Sequence, residues 1–182
     1  MRRMLSAALG LGLLAGAAHA ADFDARRPTD IATLLTQHGA SGSMKSGDSG
    51  KAYFDGQAGQ LFFSIHFQDC DVARTNCSTL LFSSWWKTKE ISPELLNRWN
   101  RWTVYCPAFI DTDGTPEVWY SFPVSSRTAA DDLVRVENTW MNCLTDFDSF
   151  VADPPGFLKR VAPEDSGGQA AAPVAPSSPD SH

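Results

Sequence analysis

Four cysteines constrain this chain more than any other sequence feature, because all four follow a segment with the pattern of an export leader. The first four residues include the basic pair Arg2-Arg3, residues 5–18 are small and apolar, and Ala18-His19-Ala20 supplies the A-x-A pattern of a signal peptidase site. The sequence predicts a signal peptide over residues 1–20, with cleavage between Ala20 and Ala21. We expect a periplasmic or secreted protein that is not inserted in the membrane after cleavage.

The cysteines of an exported protein meet an oxidising compartment, where an even number favours disulfides. Cys70 and Cys77 flank the turn of a predicted β-hairpin, so they lie within disulfide reach. Cys106 falls on the inward phase of a strand predicted over 103–110, and Cys143 falls on the apolar stripe of the last helix. These positions favour the pairs Cys70–Cys77 and Cys106–Cys143 among three pairings. A zinc site is disfavoured, because structural zinc ligands usually come in C-x2–4-C pairs.

Apolar periodicity predicts one α+β domain over residues 28–152, with a linker at 21–27 and a Pro/Ala/Ser-rich disordered tail at 153–182. The predicted order is a helix, three or four strands, a helix, a β-hairpin and a final helix. An antiparallel sheet with helices packed on one face follows from that order. The predicted elements are a helix at 28–39, a weak strand within 41–50, strands at 52–55, 60–67 and 78–86, a helix at 92–102, strands at 103–110 and 118–124, and a helix from 128 to about 150.

The tryptophans divide into core and surface candidates. Trp119 shares the polar phase of its strand with Glu117, and the adjacent Trp85 and Trp86 must occupy opposite faces. At least one of these three should therefore face away from the core, as aromatic side chains in protein-binding surfaces do. A cover formed by the tail or by a dimer partner explains such exposure equally well. Three others lie on apolar helix stripes and are expected in the core, namely Trp99, Trp102 and Trp140.

Charge and motif content exclude several function classes. The net charge is −6 and no cluster of Lys or Arg is present, which excludes nucleic-acid binding. Asp111-x-Asp113-Gly114 is typical of a tight turn, because the later ligands of a calcium loop are missing. No C-x-x-C motif indicates thiol redox catalysis. We expect no cofactor and no catalytic site, with an enzyme assembled from His66, Asp69 and Asp111, or a secreted hydrolase inhibitor, as the alternative.

Three segments together resemble the YbjN-domain family. Residues 62–70 and 77–82 resemble its hairpin, 97–101 contain its N-x-W-N helix motif, and 109–116 resemble its strand ending in D-x-D-G-x-P. The resemblance covers about residues 28–152. It implies a fold similar to type III secretion chaperones and a role as a bacterial sensory transduction regulator.

The resemblance and the leader together predict a non-enzymatic, disulfide-bonded module that binds a protein partner in the cell envelope, as a regulator or chaperone-like protein. Trp119, together with Trp85 or Trp86, is the expected contact surface. Chaperone-like folds of this type often dimerise, so the resemblance also allows a homodimer.

Overall fold

The computed structural model describes residues 23–47, 50–88 and 91–161, and the predicted leader with its cleavage site lies outside them. In chain order the helices and strands within these residues are α1 (Pro28–Gln37), β1 (Ser41–Ser46), β2 (Ala52–Ala58), β3 (Leu61–Gln68), β4 (Thr79–Trp85), α2 (Pro93–Trp102), β5 (Ala108–Ile110), β6 (Pro116–Pro123), α3 (Ala130–Ala152) and α4 (Pro154–Val161). Among them no helix is both apolar enough and long enough to span a bilayer.

The strands form one open sheet in the order β1-β2-β3-β4-β6-β5, and every neighbouring pair is antiparallel. The predicted α+β class is confirmed. The strand predicted over 52–55 is too short: β2 continues through Gly56 to Ala58, and the turn to β3 is confined to Gly59 and Gln60. Gly56 is required inside the strand, because a Cβ there would lie 2.6 Å from the ring of Phe54 and 2.8 Å from that of Phe63.

The helices cover one face of the sheet, here called the inner face. Strand residues that point to it are buried, as Phe63, Ile65 and Phe67 on β3 illustrate. Phe82 of β4 contacts Trp140 of α3, with 5.6 Å between ring centroids. The alternation predicted for β3 is therefore confirmed, and it assigns the opposite residues of every strand to a second, outer face.

Trp99 of α2 organises the core beside the sheet. Its ring is fully buried, and its indole N–H donates a hydrogen bond of 2.8 Å to the carbonyl oxygen of Cys106. That contact holds residues 103–107 as a loop, so the strand predicted over 103–110 is wrong except for Ala108–Ile110. Cys106 nevertheless points inward and is bonded to Cys143 of α3, with 6.0 Å between the Cα atoms.

Cys70 and Cys77 are bonded across the connection between β3 and β4. The backbone N–H of Cys77 donates to the carbonyl oxygen of Arg26 at 2.8 Å, and Ala25 is fully buried. Residues 23–27 are therefore fixed against the domain, although the sequence predicted a linker. Within this segment, Asp24 and Arg26 form an ion pair that stabilises its conformation.

The helices predicted from residues 28 and 92 begin as expected, and the one predicted from 128 begins two residues later. Ser92 accepts a hydrogen bond from the Leu95 N–H and begins α2. In α1 the N-cap is Arg27, and Pro28 occupies the first helical position. In α3 the N-cap is Ala129, and its backbone N–H donates a hydrogen bond of 3.0 Å to the carboxylate of Asp132.

The C-terminal boundary predicted at residue 153 is also wrong. Residues 154–161 form α4, whose Phe157 and Leu158 are buried against α2 and α3. Pro154 and Pro155 begin this helix, and proline is favourable in a first turn because the N–H it lacks would have no helical partner. The remainder of the predicted tail, 162–182, lies outside the described residues.

Candidate functional site

The outer face of the sheet exposes large aromatic side chains from three neighbouring strands. Phe62 on β3 is 64% exposed, Trp85 on β4 is 57% exposed, and Trp119 on β6 is 41% exposed. We call these three residues the outer aromatic cluster. None of the described helices covers them, although side chains of this size are among the most favourable to bury.

Strand register brings two members of the cluster together. Trp119 is paired with Ser83, and Trp85 is paired with Glu117, so the two indoles are diagonal neighbours on one face. Ser83 lies beneath them and is buried despite pointing outward. The edge of the Phe109 ring meets Trp119 with 4.6 Å between centroids, which fixes one side of that indole.

Trp86 belongs to the opposite face. It is half-buried, its ring meets Phe147 of α3 with 4.8 Å between centroids, and its indole N–H donates to the carboxylate of Asp148 at 2.9 Å. Of the three sequence candidates, Trp85 and Trp119 therefore share the outer face. Trp86, the third candidate for the contact surface, instead connects β4 to α3.

Polar groups border the cluster on two sides. The indole N–H of Trp119 donates to the Glu117 carboxylate at 2.6 Å, which orients both side chains. Burial raises the pKa of Glu117, nearby Asp111 raises it further, and the hydrogen bond from Trp119 opposes the change. On the other side, the Lys87 ammonium lies 5.9 Å from the centre of the Trp85 ring, a cation–π distance.

Two depressions adjoin the cluster. A cleft of about 560 Å³ opens where β3 and β4 diverge, lined by Phe62, Trp85 and Lys87 among others. A shallower one of about 290 Å³ lies on the outer face between His66 and Trp119. Both combine aromatic walls with a few polar groups, which suits the side chains of a protein or peptide.

The alternative catalytic residues do not form a site. His66 stacks on Tyr53 with 5.4 Å between ring centroids, and burial lowers its pKa. The Asp69 carboxylate accepts a hydrogen bond from the Thr79 hydroxyl at 3.0 Å. The Asp111 carboxylate accepts one from the backbone N–H of Thr112 in its own turn. No hydrogen bond or ion pair joins His66, Asp69 and Asp111 to one another.

The same holds for metal chemistry in the described ranges. Across 23–47, 50–88 and 91–161, no group of three His, Cys, Asp or Glu residues is close enough to hold an ion. All four cysteines in these ranges are bonded in pairs.

Sequence reasoning did not include Phe62 in the contact surface. A usable signal was present, because Phe62 shares its strand phase with Ser64 and His66 rather than with Phe63 and Ile65. Phe109 and Glu117 could not be found in this way. Their role depends on which strand lies beside β6, and that is a property of the folded sheet.

A family model matches residues 27–151, which is most of the chain, and its description reads "Putative bacterial sensory transduction regulator". No curated protein and no solved structure matches the chain. The matched segment includes both disulfides, α2 with Trp99, and all three residues of the outer aromatic cluster. The chain belongs to the YbjN family.

Proposed function

We propose that this YbjN protein is an exported, non-enzymatic module that binds a protein partner in the cell envelope, as a regulator or chaperone-like protein. The outer aromatic cluster is its contact surface. The family supports a regulatory or binding role in general terms. The leader-like N-terminus and the two disulfides support export, because stable disulfides are typical of oxidising compartments.

The single observation that carries the binding role is the exposure of Phe62, Trp85 and Trp119 on one uncovered sheet face. Tryptophan is enriched among the interface residues that contribute most to affinity, because it buries a large area at a small cost in side-chain entropy. Trp119 is also held in place by Glu117 and Phe109, so little of its freedom remains to be lost on binding.

The enzyme alternative has weaker support. His66, Asp69 and Asp111 are not joined to one another, and each already has a local structural partner. A hydrolytic activity that a folded His66→Ala variant has lost would favour the enzyme over the binding module.

Capture from the envelope fraction tests the proposal. The bait is the oxidised mature protein, residues 21–182, beside a Trp85→Ala/Trp119→Ala variant. We expect one protein to be retained by the wild type and lost with the variant, and its affinity to fall at least about tenfold in a direct titration, as for truncated interface hot spots.

Val72→Ala is the control, since Val72 is a fully exposed apolar residue that lies outside the cluster, in the loop closed by Cys70 and Cys77. It should retain the partner with unchanged affinity. Equal retention by the wild type and the tryptophan variant would refute the assignment of the surface. If Val72→Ala alone loses the partner, the loop closed by Cys70 and Cys77 is the contact instead.

A further inference from the structure

The two edge strands of the sheet, β5 and β1, differ in the hydrogen bonding of their outward-pointing backbone groups. At the β5 edge, the backbone groups of Ala108 point away from β6, because the flanking Pro107 and Asp111 bond to that strand. The side chain of Asn100 in α2 satisfies both groups: it accepts from the Ala108 N–H at 2.8 Å and donates to its carbonyl at 2.9 Å. This edge is short and closed, which is how proteins avoid unwanted strand pairing.

The β1 edge is longer and has no such cover in the described chain. The hydrogen bond from the Gly47 N–H to Lys51 fixes the alternation along the ladder. Ser41, Ser43 and Lys45 bond to β2, so the N–H and C=O groups of the residues between them point outward. These residues are Gly42, Met44 and Ser46, and no described residue bonds their outward groups.

We propose that β1 is the interface between two copies of this chain, which pair their β1 strands antiparallel about a two-fold axis at Met44. In this pairing, residues whose N–H and C=O groups point away from β2 must lie opposite residues of the same kind. The register centred on Met44 satisfies this rule. Gly42 then pairs with Ser46 of the partner subunit, and Met44 with Met44 of the partner subunit. The result is one continuous sheet formed by both copies, in which the outward N–H and C=O groups of the two β1 strands are hydrogen-bonded to each other.

The chemistry of β1 favours a second copy as the occupant. Lys45 is the only charged residue of the strand, and in this register it lies opposite Ser43 of the partner subunit, so no like charges meet. Met44 is half-buried on the inner face and would meet its own equivalent, an apolar contact. The strand is therefore complementary to itself in hydrogen bonding, in charge and in hydrophobicity.

The helix beside the edge leaves room for this arrangement. A shallow groove of about 380 Å³ lies between α1 and β1, and its walls include Ala32, Thr33, Thr36 and Gly42. Apart from Gln37 and Phe54, the residues that line it are small, so the inward-facing residues of an added strand can lie against α1. The outer aromatic cluster lies on β3, β4 and β6, at least two strands away from β1, and stays accessible, so this inference is independent of the proposed function.

Sedimentation equilibrium of the full, oxidised protein tests the interface. We expect a dimer with a Kd of about 1–100 μM, as for a small interface. Met44→Pro removes the central outward N–H without removing a bond to β2, and should leave a folded monomer. Met44→Ala keeps that N–H and should remain a dimer with a modestly raised Kd. A wild type that is monomeric, as a strand from another protein would require, overturns the proposal, as does an unchanged mass for Met44→Pro.

A charge exchange tests the register and does not depend on the proline variant folding. Ser43 is exposed, and Ser43→Lys places two ammonium groups opposite each other at two symmetric positions. We expect the Kd to rise about tenfold. Adding Lys45→Glu converts both positions to opposite charges and should restore dimerisation. If Ser43→Lys leaves the Kd unchanged, or Lys45→Glu does not restore it, the register is wrong. Trp119→Ala should not change the mass in any of these variants.

Discussion

The indole of Trp99 and the carbonyl of Cys106 are joined by a buried hydrogen bond of 2.8 Å, which connects helix α2 to the residue that is bonded to α3. Trp99 also contacts Phe147, Phe150 and Phe157, with centroid distances of 4.9, 5.2 and 5.6 Å. One side chain therefore links α2, α3 and α4 to the loop before β5.

Trp99→Phe should lower the free energy of unfolding by about 2–4 kcal/mol, because it removes ring volume and leaves the Cys106 carbonyl without its donor. Urea unfolding of the oxidised protein measures the change. The same substitution at exposed Trp119 is the control and should cost no more than about 0.5 kcal/mol. Equal losses at the two positions would mean that the Trp99 hydrogen bond contributes nothing.

The two disulfides should contribute unequally. Cys106–Cys143 spans a separation of 37 residues and Cys70–Cys77 a separation of 7. The loop-entropy relation gives about 4 kcal/mol for the longer loop and about 2.5 kcal/mol for the shorter. Paired Cys→Ala variants compared by urea unfolding at one pH test this order. A larger loss for Cys70→Ala/Cys77→Ala would contradict the order given by the loop entropy.

The elements that could be predicted from sequence are those whose signal is local. The alternation of Phe63, Ile65 and Phe67 predicts β3 and its buried face, and Ser92-Pro93 predicts the start of α2. Features that depend on distant contacts could not be predicted. Trp86 rather than Trp85 is the inward residue, and its contacts are with Phe147 and Asp148, more than 60 residues away along the chain.

Residues 103–107 illustrate the same limit. Their alternation is that of a strand, yet the strand β5 begins only at Ala108, and of residues 103–107 Pro107 alone bonds to β6. The hydrogen bonds of Trp99 and Asn100 with Cys106 and Ala108 bind this backbone to α2 instead. For the candidate site, sequence predicted exposed tryptophans but not their neighbours, because cross-strand contacts follow from sheet order.

Buried Glu137 makes stability depend on pH. Glu137 of α3 is only 8% exposed, and burial raises the pKa of its carboxyl, against the opposing effect of nearby His38. A carboxyl whose folded pKa exceeds the unfolded value favours folding fully at low pH, and this contribution is lost as pH rises through the folded pKa. Glu137→Gln cannot ionise, so it should stabilise the protein more at pH 7 than at pH 4.

Urea unfolding at the two pH values gives that difference. Glu94→Gln is the control, because Glu94 is exposed in the first turn of α2, where a negative charge is favourable. It should be neutral or slightly destabilising at pH 7. A Glu137→Gln variant whose effect is the same at both pH values would contradict the role assigned to burial.

Helix α4 should be part of the folding domain. Phe157 and Leu158 are buried, and the Phe157 ring meets Trp102 and Phe150 as well as Trp99. A chain that ends after Asp153 loses two fully buried apolar side chains, so its free energy of unfolding should fall by about 3–5 kcal/mol. Thermal and urea unfolding of the oxidised protein both report the loss.

A chain that ends after Val161 is the matched control for this truncation. Residues 162–182 contain almost no bulky apolar side chain, so their removal should change the free energy of unfolding by no more than about 0.5 kcal/mol. Phe157→Ala in the full chain should reproduce most of the loss seen after Asp153, since truncation of a buried Phe costs about 3–5 kcal/mol. If the two truncated chains are equally stable, α4 is not part of the domain, and the boundary lies at residue 153 after all.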